Sequence, residues 1–240
     1  VWGKNSTYTP GYVDSLDDKA IRAFIDSTHE KYKEAIGEEF GKTVPYLFTD
    51  EICVASPFDV SEGRVPWNDK MLENFICKYG YDPTPYLYSL FFRPVTPKEK
   101  MVRYHYWRLV TELFCKNYTS QASKWCNENK LKYSGHFDGE EYLRWMMYQS
   151  GDLFEAMQYM DIPGIDTIFT RERVDSEEEF DIAAKLASSC ARFFKRNRVL
   201  CESFGGSGWE FRQNELRRIV NRLTILGINL MIPVAHYSLD

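Results

Sequence analysis

Two short apolar runs in this sequence end abruptly on carboxylates. Val44-Pro45-Tyr46-Leu47-Phe48-Thr49 meets Asp50 and Glu51, and Val199-Leu200-Cys201 meets Glu202, with Ser203-Phe204-Gly205-Gly206 behind it. A charged side chain is costly to place at the mouth of a buried strand, so it points to a site, against the alternatives of a helix cap or an ion pair. The pattern recurs in Ser134-Gly135-His136 with Asp138 and Glu140 downstream, and in Pro163-Gly164-Ile165-Asp166. Two carboxyl groups facing each other are what glycoside hydrolysis requires. One holds a proton for the leaving oxygen, while the other attacks the anomeric carbon at about 5 Å separation or activates a water at about 6.5 to 9.5 Å. Glu51 and Glu202 are the candidate catalytic pair. Asp50, His136, Glu140, Asp166 and His236 are candidates for binding substrate hydroxyls or orienting a carboxylate, each with a bland alternative as cap, loop surface or satisfied polar side chain. Glu141 reads as loop surface, and His29 and His105 fall within helical patterns and read as structural.

These residues need elements to carry them. Apolar positions recur at helical spacing from Asp17 to Phe40, with Gly41 as a stop, and Val44 to Thr49 is too short for a helix and reads as a buried strand. Residues 50 to 66 read as a long loop, followed by a helix from Trp67 or Asn68 to Tyr79. Thr96-Pro97-Lys98-Glu99 is a capping box with proline at the first helical position, and it opens a long helix that ends near Asn127 to Asn129. The rhythm repeats with strand Leu131 to Gly135, a helix from Asp152 to Met160 and strand Gly164 to Phe169. A helix opened by the capping box Ser176 to Glu179 follows, then strand Val199 to Glu202, a helix from Asn214 to Leu226 stopped by Gly227, and strand Ile228 to Val234. Alternation of this kind indicates parallel β/α units. A (β/α)8 TIM-type barrel and a doubly wound open sheet compete. No G-x-G-x-x-G follows the first strand, and acids stand at the ends of several strands, so the α/β barrel is the expectation. About five of the eight strands are present, making residues 1–240 a single barrel domain or a piece of one.

Composition sets the outer limits. The chain has 240 residues, 44% hydrophobic and 27% charged, as in ordinary globular proteins. A net charge of −5 with dispersed basic residues gives no stripe for nucleic acid, and no apolar run is long enough for a membrane span. The first residues lack the pattern of a signal peptide. Six cysteines at irregular spacing form no zinc pattern and read as free thiols, which favours the cytoplasm while leaving periplasm or secretion open. Asn5-Ser6-Thr7 and Asn117-Tyr118-Thr119 match the glycosylation sequon. Aromatic residues reach 16%, a composition that fills cores and also stacks on sugars. No cofactor is required, but Asp50, Glu51, Glu140 and Glu202 together would suit a hard cation such as calcium.

The order of these pieces resembles a known family. Pro10-Gly11-Tyr12-Val13-Asp14, Thr28-His29-Glu30-Lys31-Tyr32, Phe48-Thr49-Asp50-Glu51, Pro66-Trp67, Tyr79-Gly80-Tyr81-Asp82, Ser134-Gly135-His136, Pro163-Gly164-Ile165-Asp166 and Glu202-Ser203-Phe204-Gly205 follow one another as in the barrel of glycoside hydrolase family 106, the α-L-rhamnosidases. The resemblance implies a (β/α)8 catalytic domain, an inverting mechanism and calcium near the sugar, with Glu51 a catalytic carboxylate and Glu202 its partner or a substrate ligand. It also implies a longer parent chain with further barrel strands or β-sandwich domains. The expected function is hydrolysis of a terminal glycoside, with rhamnose the leading sugar. The rivals are a non-catalytic carbohydrate-binding barrel, an inactive fragment and a barrel hydrolase that uses a bound metal.

Overall fold

In a computed structural model, described for residues 13–55, 63–168, 178–206 and 212–234, five strands alternate with helices. Helices α1 (Asp18–Ser27) and α2 (His29–Ile36) precede β1 (Tyr46–Ile52). After α3 (Met71–Tyr79), helix α4 (Pro97–Phe114) passes through a π turn at Cys115–Thr119 into α5 (Ser120–Glu128) and β2 (Lys132–Phe137). Two short helices, α6 (Leu143–Gln149) and α7 (Leu153–Met157), lead to β3 (Ile162–Ile168). The sequence continues with α8 (Glu178–Phe193), β4 (Leu200–Gly205), α9 (Gln213–Leu226) and β5 (Leu230–Pro233).

All four strand pairs are parallel, and the order in the sheet is β1-β2-β3-β4-β5. A doubly wound sheet reverses its strand order part-way, and this one does not. The protein is therefore α/β with a sequentially wound parallel sheet. The expected closed barrel is not formed, because the five strands make an open sheet among the described residues. A groove of about 650 Å3 borders the free side of β1, lined by Phe24, Leu47, Phe48, Ile52 and Tyr118 among others.

Side-chain size sets how close the layers come. Helix α8 turns Ala183, Ala184, Ala187, Cys190 and Ala191 inward as buried residues, and such small side chains let its backbone lie near β3. Larger rings fill the space under α4 and α5, where Tyr106, Phe114, Tyr133 and Phe137 are fully buried. Between β1 and β2 the backbones meet at Gly135, whose φ is +126°; a Cβ there would stand 2.0 Å from the carbonyl oxygen of Thr49.

The capping box forms as its residues require. Thr96 Oγ1 accepts from the Glu99 amide at 3.2 Å, and Glu99 Oε2 accepts from the amides of Val95 at 2.6 Å and Thr96 at 3.2 Å. The Val95 amide, the Tyr88 hydroxyl and the Thr96 amide hold the Glu99 carboxyl down to about 2. Thr96→Ala is expected to cost about 1 kcal/mol of stability in a urea titration. A cost near zero would mean that the cap is redundant.

Several expectations need correction. The helix foreseen from Asp17 to Phe40 breaks at Thr28, whose hydroxyl accepts from no helix-start amide but donates to the Phe24 carbonyl at 2.7 Å. Helix α6 forms in a stretch to which the sequence reading assigned no element. The sequon at Asn117 is internal, since its side-chain amide is buried and donates to the Leu16 carbonyl at 2.6 Å. The sequon at Asn5, the cap at Ser176 and Glu177, and His236 lie outside the described residues.

Candidate active site

The carboxyl ends of the strands carry the acids, and the backbone there departs from a regular ladder twice. On β1 and β2, Thr49 pairs with Gly135 and Ile52 with Phe137, so Asp50 and Glu51 together stand opposite His136. On β3 and β4, Thr167 pairs with Ser203 and Ile168 with Gly205, which leaves Phe204 as the extra residue. Each bulge is built on a side-chain-bearing residue in left-handed backbone, Glu51 at φ +45° and Phe204 at φ +72°. Bulges re-aim side chains, and non-glycine residues at positive φ persist only where the surroundings hold them. Asp50 and Glu51 thus belong to the strand end itself rather than to the loop after it.

His136 lies at the centre. Its Nε2 is 3.2 Å from Asp50 Oδ1 and 3.2 Å from Glu202 Oε2, and its ring packs edge-on against Phe48 with centroids 5.6 Å apart. Nε2 is placed to donate to either carboxylate. On the other side, Nδ1 is 3.8 Å from Glu140 Oε1. Glu140 is 1% exposed, and its Oε1 has no hydrogen-bond partner.

A cavity of about 260 Å3 opens above this group, walled by Asp50, Glu51, His136, Asp166, Thr167, Glu202, Gly205, Gly206 and Val234. Five of the seven residues expected at a site therefore share one wall. Glu140 does not join them and sits buried beside His136; His236 is not described. His29 and His105 serve packing: the first lies edge-on to Trp125 at 5.0 Å, and the second stacks on Tyr79 at 3.9 Å.

Crowding of like charges sets the proton affinities. Burial raises Glu51 above the usual carboxylate range, and Asp50, Glu202 and Glu141 add to the effect while His136 opposes it. Asp166 is pushed up to about 7 by burial, against the pull of His136 and with the help of Glu141, Glu51 and Glu202. Asp138, just past β2, rises to about 6 through burial and the charges of Glu51 and Glu141. Glu140 is raised well above the ordinary range by burial and then by Asp166. Asp138 was not singled out as a site residue from sequence, although its position two residues beyond His136 was a usable signal.

Asp166 gives a signed expectation. Between an ordinary carboxylate value near 3.8 and about 7 the folded state holds a proton that the unfolded chain has lost, so its contribution to stability falls as pH rises through that window. Asp166→Asn is expected to flatten the stability profile between those limits in urea titrations with chelator present. A profile as steep as that of the parent would assign the dependence to other acids.

Among the described residues, two groups of donors could hold a metal ion. Asp50, His136 and Glu202 present atoms within 4.8 Å of one another, and so do His136, Glu140 and Asp166.

Comparison with known proteins now places the chain. Residues 6–240 match the family model described as α-L-rhamnosidase, glycoside hydrolase family 106. The chain belongs to this family. It is similar to the solved rhamnosidase from Novosphingobium sp. PP1Y, with 26% identity and a TM-score of 0.70 over 95% of this chain. That match covers 21% of the Novosphingobium chain, so this family 106 sequence spans about a fifth of its solved relative's length. No curated protein matches. Among the described residues, no helix is long and apolar enough to cross a membrane.

Proposed function

We propose that this family 106 chain carries the acid and base of an α-L-rhamnosidase that cleaves a terminal rhamnoside with inversion. The observation behind the reading is the convergence of Glu51 and Glu202, from two separate bulged strand ends, on one cavity beside His136. Glu51 is the general acid. Burial and neighbouring charge raise its hold on a proton, as suits the donor to the leaving oxygen. Glu202 is the general base, because His136 Nε2, 3.2 Å from its Oε2, orients the carboxylate toward a water on the opposite side of the sugar. Asp50 and Asp166 accept hydrogen bonds from sugar hydroxyls. At about 260 Å3 the cavity is smaller than the ~300–1,000 Å3 pockets that hold drug-sized ligands, which suits one terminal ring.

The sheet is completed to a (β/α)8 barrel by further strands of a longer chain, and the apolar groove along β1 is a seat for one of them. A divalent cation also fits the donors. The orphaned Oε1 of Glu140, buried next to Asp166 and His136, is an oxygen in want of a positive partner, and the other acids supply the hard oxygen ligands that calcium takes. Glu140 and Asp166, beside His136, would hold it, and when bound it would supply positive charge for sugar oxygens. Chelation is then expected to lower the thermal midpoint, with calcium restoring it by mass action. A midpoint indifferent to both would remove the ion from the scheme.

Assay of the full-length protein on a panel of nitrophenyl glycosides tests the reading. Turnover of the α-L-rhamnoside supports it. Sugar binding without hydrolysis of any member assigns the domain to carbohydrate binding instead.

A further inference from the structure

The acid cavity has one side that the acid and base chemistry leaves unused. Its carboxylates and His136 stand on β1 to β4, while Gly205, Gly206 and Val234 close it where β4 and β5 end. Among the described residues of the wall, Val234 alone bears a side chain made only of hydrocarbon. Such a side chain does nothing for a hydroxyl, and only an apolar part of a ligand matches it.

The sheet fixes that side chain in place. Glu202 pairs with Ile232 and Ser203 with Pro233, and the ladder runs one residue past β5, where the Val234 amide donates to the Ser203 carbonyl at 2.8 Å. Side chains two residues apart on a strand share a face, so Val234 stands on the face of Ile232 and hence of Glu202. After Phe204 the chain continues as Gly205 and Gly206, which add no side chain to the wall beside it. This end of the sheet also has little to give an oxygen. Pro233 has no amide hydrogen, and that of Val234 goes to Ser203.

We infer that Val234 is the specificity-determining residue by which the cavity selects a 6-deoxyhexose. This rests on the rhamnosidase reading and adds to it the part of the sugar that is recognised. L-Rhamnose is L-mannose without the oxygen at C6, so the two share every ring hydroxyl and differ only in carrying a methyl or a hydroxymethyl group at C5. The hydroxyls at C2, C3 and C4 follow one another around the ring and meet Asp50 and Asp166, and the C5 substituent beyond them meets Val234 beside the two glycines. A methyl group there exchanges water for an apolar surface, which is favourable. A hydroxymethyl group loses a water partner that neither Pro233 nor Val234 replaces. The acids bind what the two sugars have in common, and Val234 tells them apart.

The test compares nitrophenyl α-L-rhamnoside with nitrophenyl α-L-mannoside on the full-length protein, and in parallel measures the binding of free L-rhamnose and L-mannose by calorimetry. The parent is expected to favour the rhamnoside by about 10²-fold in kcat/KM, the scale on which an apolar pocket rejects an added hydroxyl. Val234→Thr keeps the shape of the side chain and supplies a hydroxyl, so it is expected to reduce that preference about tenfold, slowing the rhamnoside and speeding the mannoside. Asp50→Asn removes a contact common to both sugars and should slow both reactions with the ratio intact. Loss of folding lowers both rates together and does not move their ratio, so the ratio is the readout. A parent without the preference, or a preference unchanged in Val234→Thr, overturns the inference and leaves rhamnoside hydrolysis standing. A ratio that moves as far in Asp50→Asn as in Val234→Thr also overturns it. Free rhamnose bound more tightly than mannose, with the difference narrowed in Val234→Thr but no glycoside cleaved, keeps the apolar seat and sinks the glycosidase reading. A parent that neither binds nor cleaves either sugar overturns both.

Discussion

Glu51→Gln and Glu202→Gln are expected to fail in different ways. A general acid matters most when the leaving group is poor, and nitrophenolate leaves without a proton. Glu51→Gln should therefore lose about 10²- to 10⁴-fold in kcat on an alkyl rhamnoside and far less on the nitrophenyl substrate. Glu202→Gln removes the group that activates water and should lose a similar factor on both. Equal losses for the two variants on both substrates would reverse or cancel the assignment. Glu51 is exposed and Glu202 half-buried on a cavity wall, so urea midpoints close to the parent's are expected and separate chemistry from collapse. The same experiment tests whether the neighbours that raise Glu51 do so for a purpose, because a general acid with raised proton affinity moves the alkaline limb of the kcat profile upward.

Gly135→Ala is expected to abolish folding or to cost at least ~4 kcal/mol, an exceptional figure for one methyl group. The cause is steric. The new Cβ would lie 2.0 Å from Thr49 O and 2.5 Å from Thr49 N, both backbone atoms of the adjoining strand, and φ is +126°. Neither can move without opening the β1–β2 ladder, which also positions Asp50, Glu51 and His136. Gly80→Ala is the control. That glycine also has positive φ, +72°, as the cap of α3, but nothing stands within 4 Å of its Cβ position, so only the left-handed strain of about 1 kcal/mol is expected. Similar urea midpoints for the two variants would mean that the strands can part at Gly135.

Where local chemistry decides the structure, sequence was a good guide. Thr96 and Glu99 predict a capping box because their side chains satisfy amides within reach, and the box forms. Gly227, with φ +108°, stops α9 where a stop was read. The five strands were legible because each is a short apolar run between helices, though their ends moved by one to three residues. Sequence failed where tertiary contacts overrule preference. Glutamate and phenylalanine do not choose left-handed backbone, so neither bulge was visible in the residues Glu51 and Phe204. Helix α6 has seven residues with Leu143 exposed, too short and irregular to display a periodic face. Glu140 was placed toward substrate on position alone, and its burial behind His136 depends on the turn that Gly139 makes at φ +81°.

The two bulges also constrain how this enzyme family member could be hardened. A glycine at position 51 would sit in its left-handed backbone at ease, so selection for heat tolerance could favour it, whereas at 204 it would also lose the packing of the Phe204 ring against the core. At Glu51 the same change deletes the carboxyl from the cavity. A variant with glycine at 51 drawn from a thermal screen would be firmer and inert, so a library meant to improve both properties should leave the two kinks untouched and mutate elsewhere.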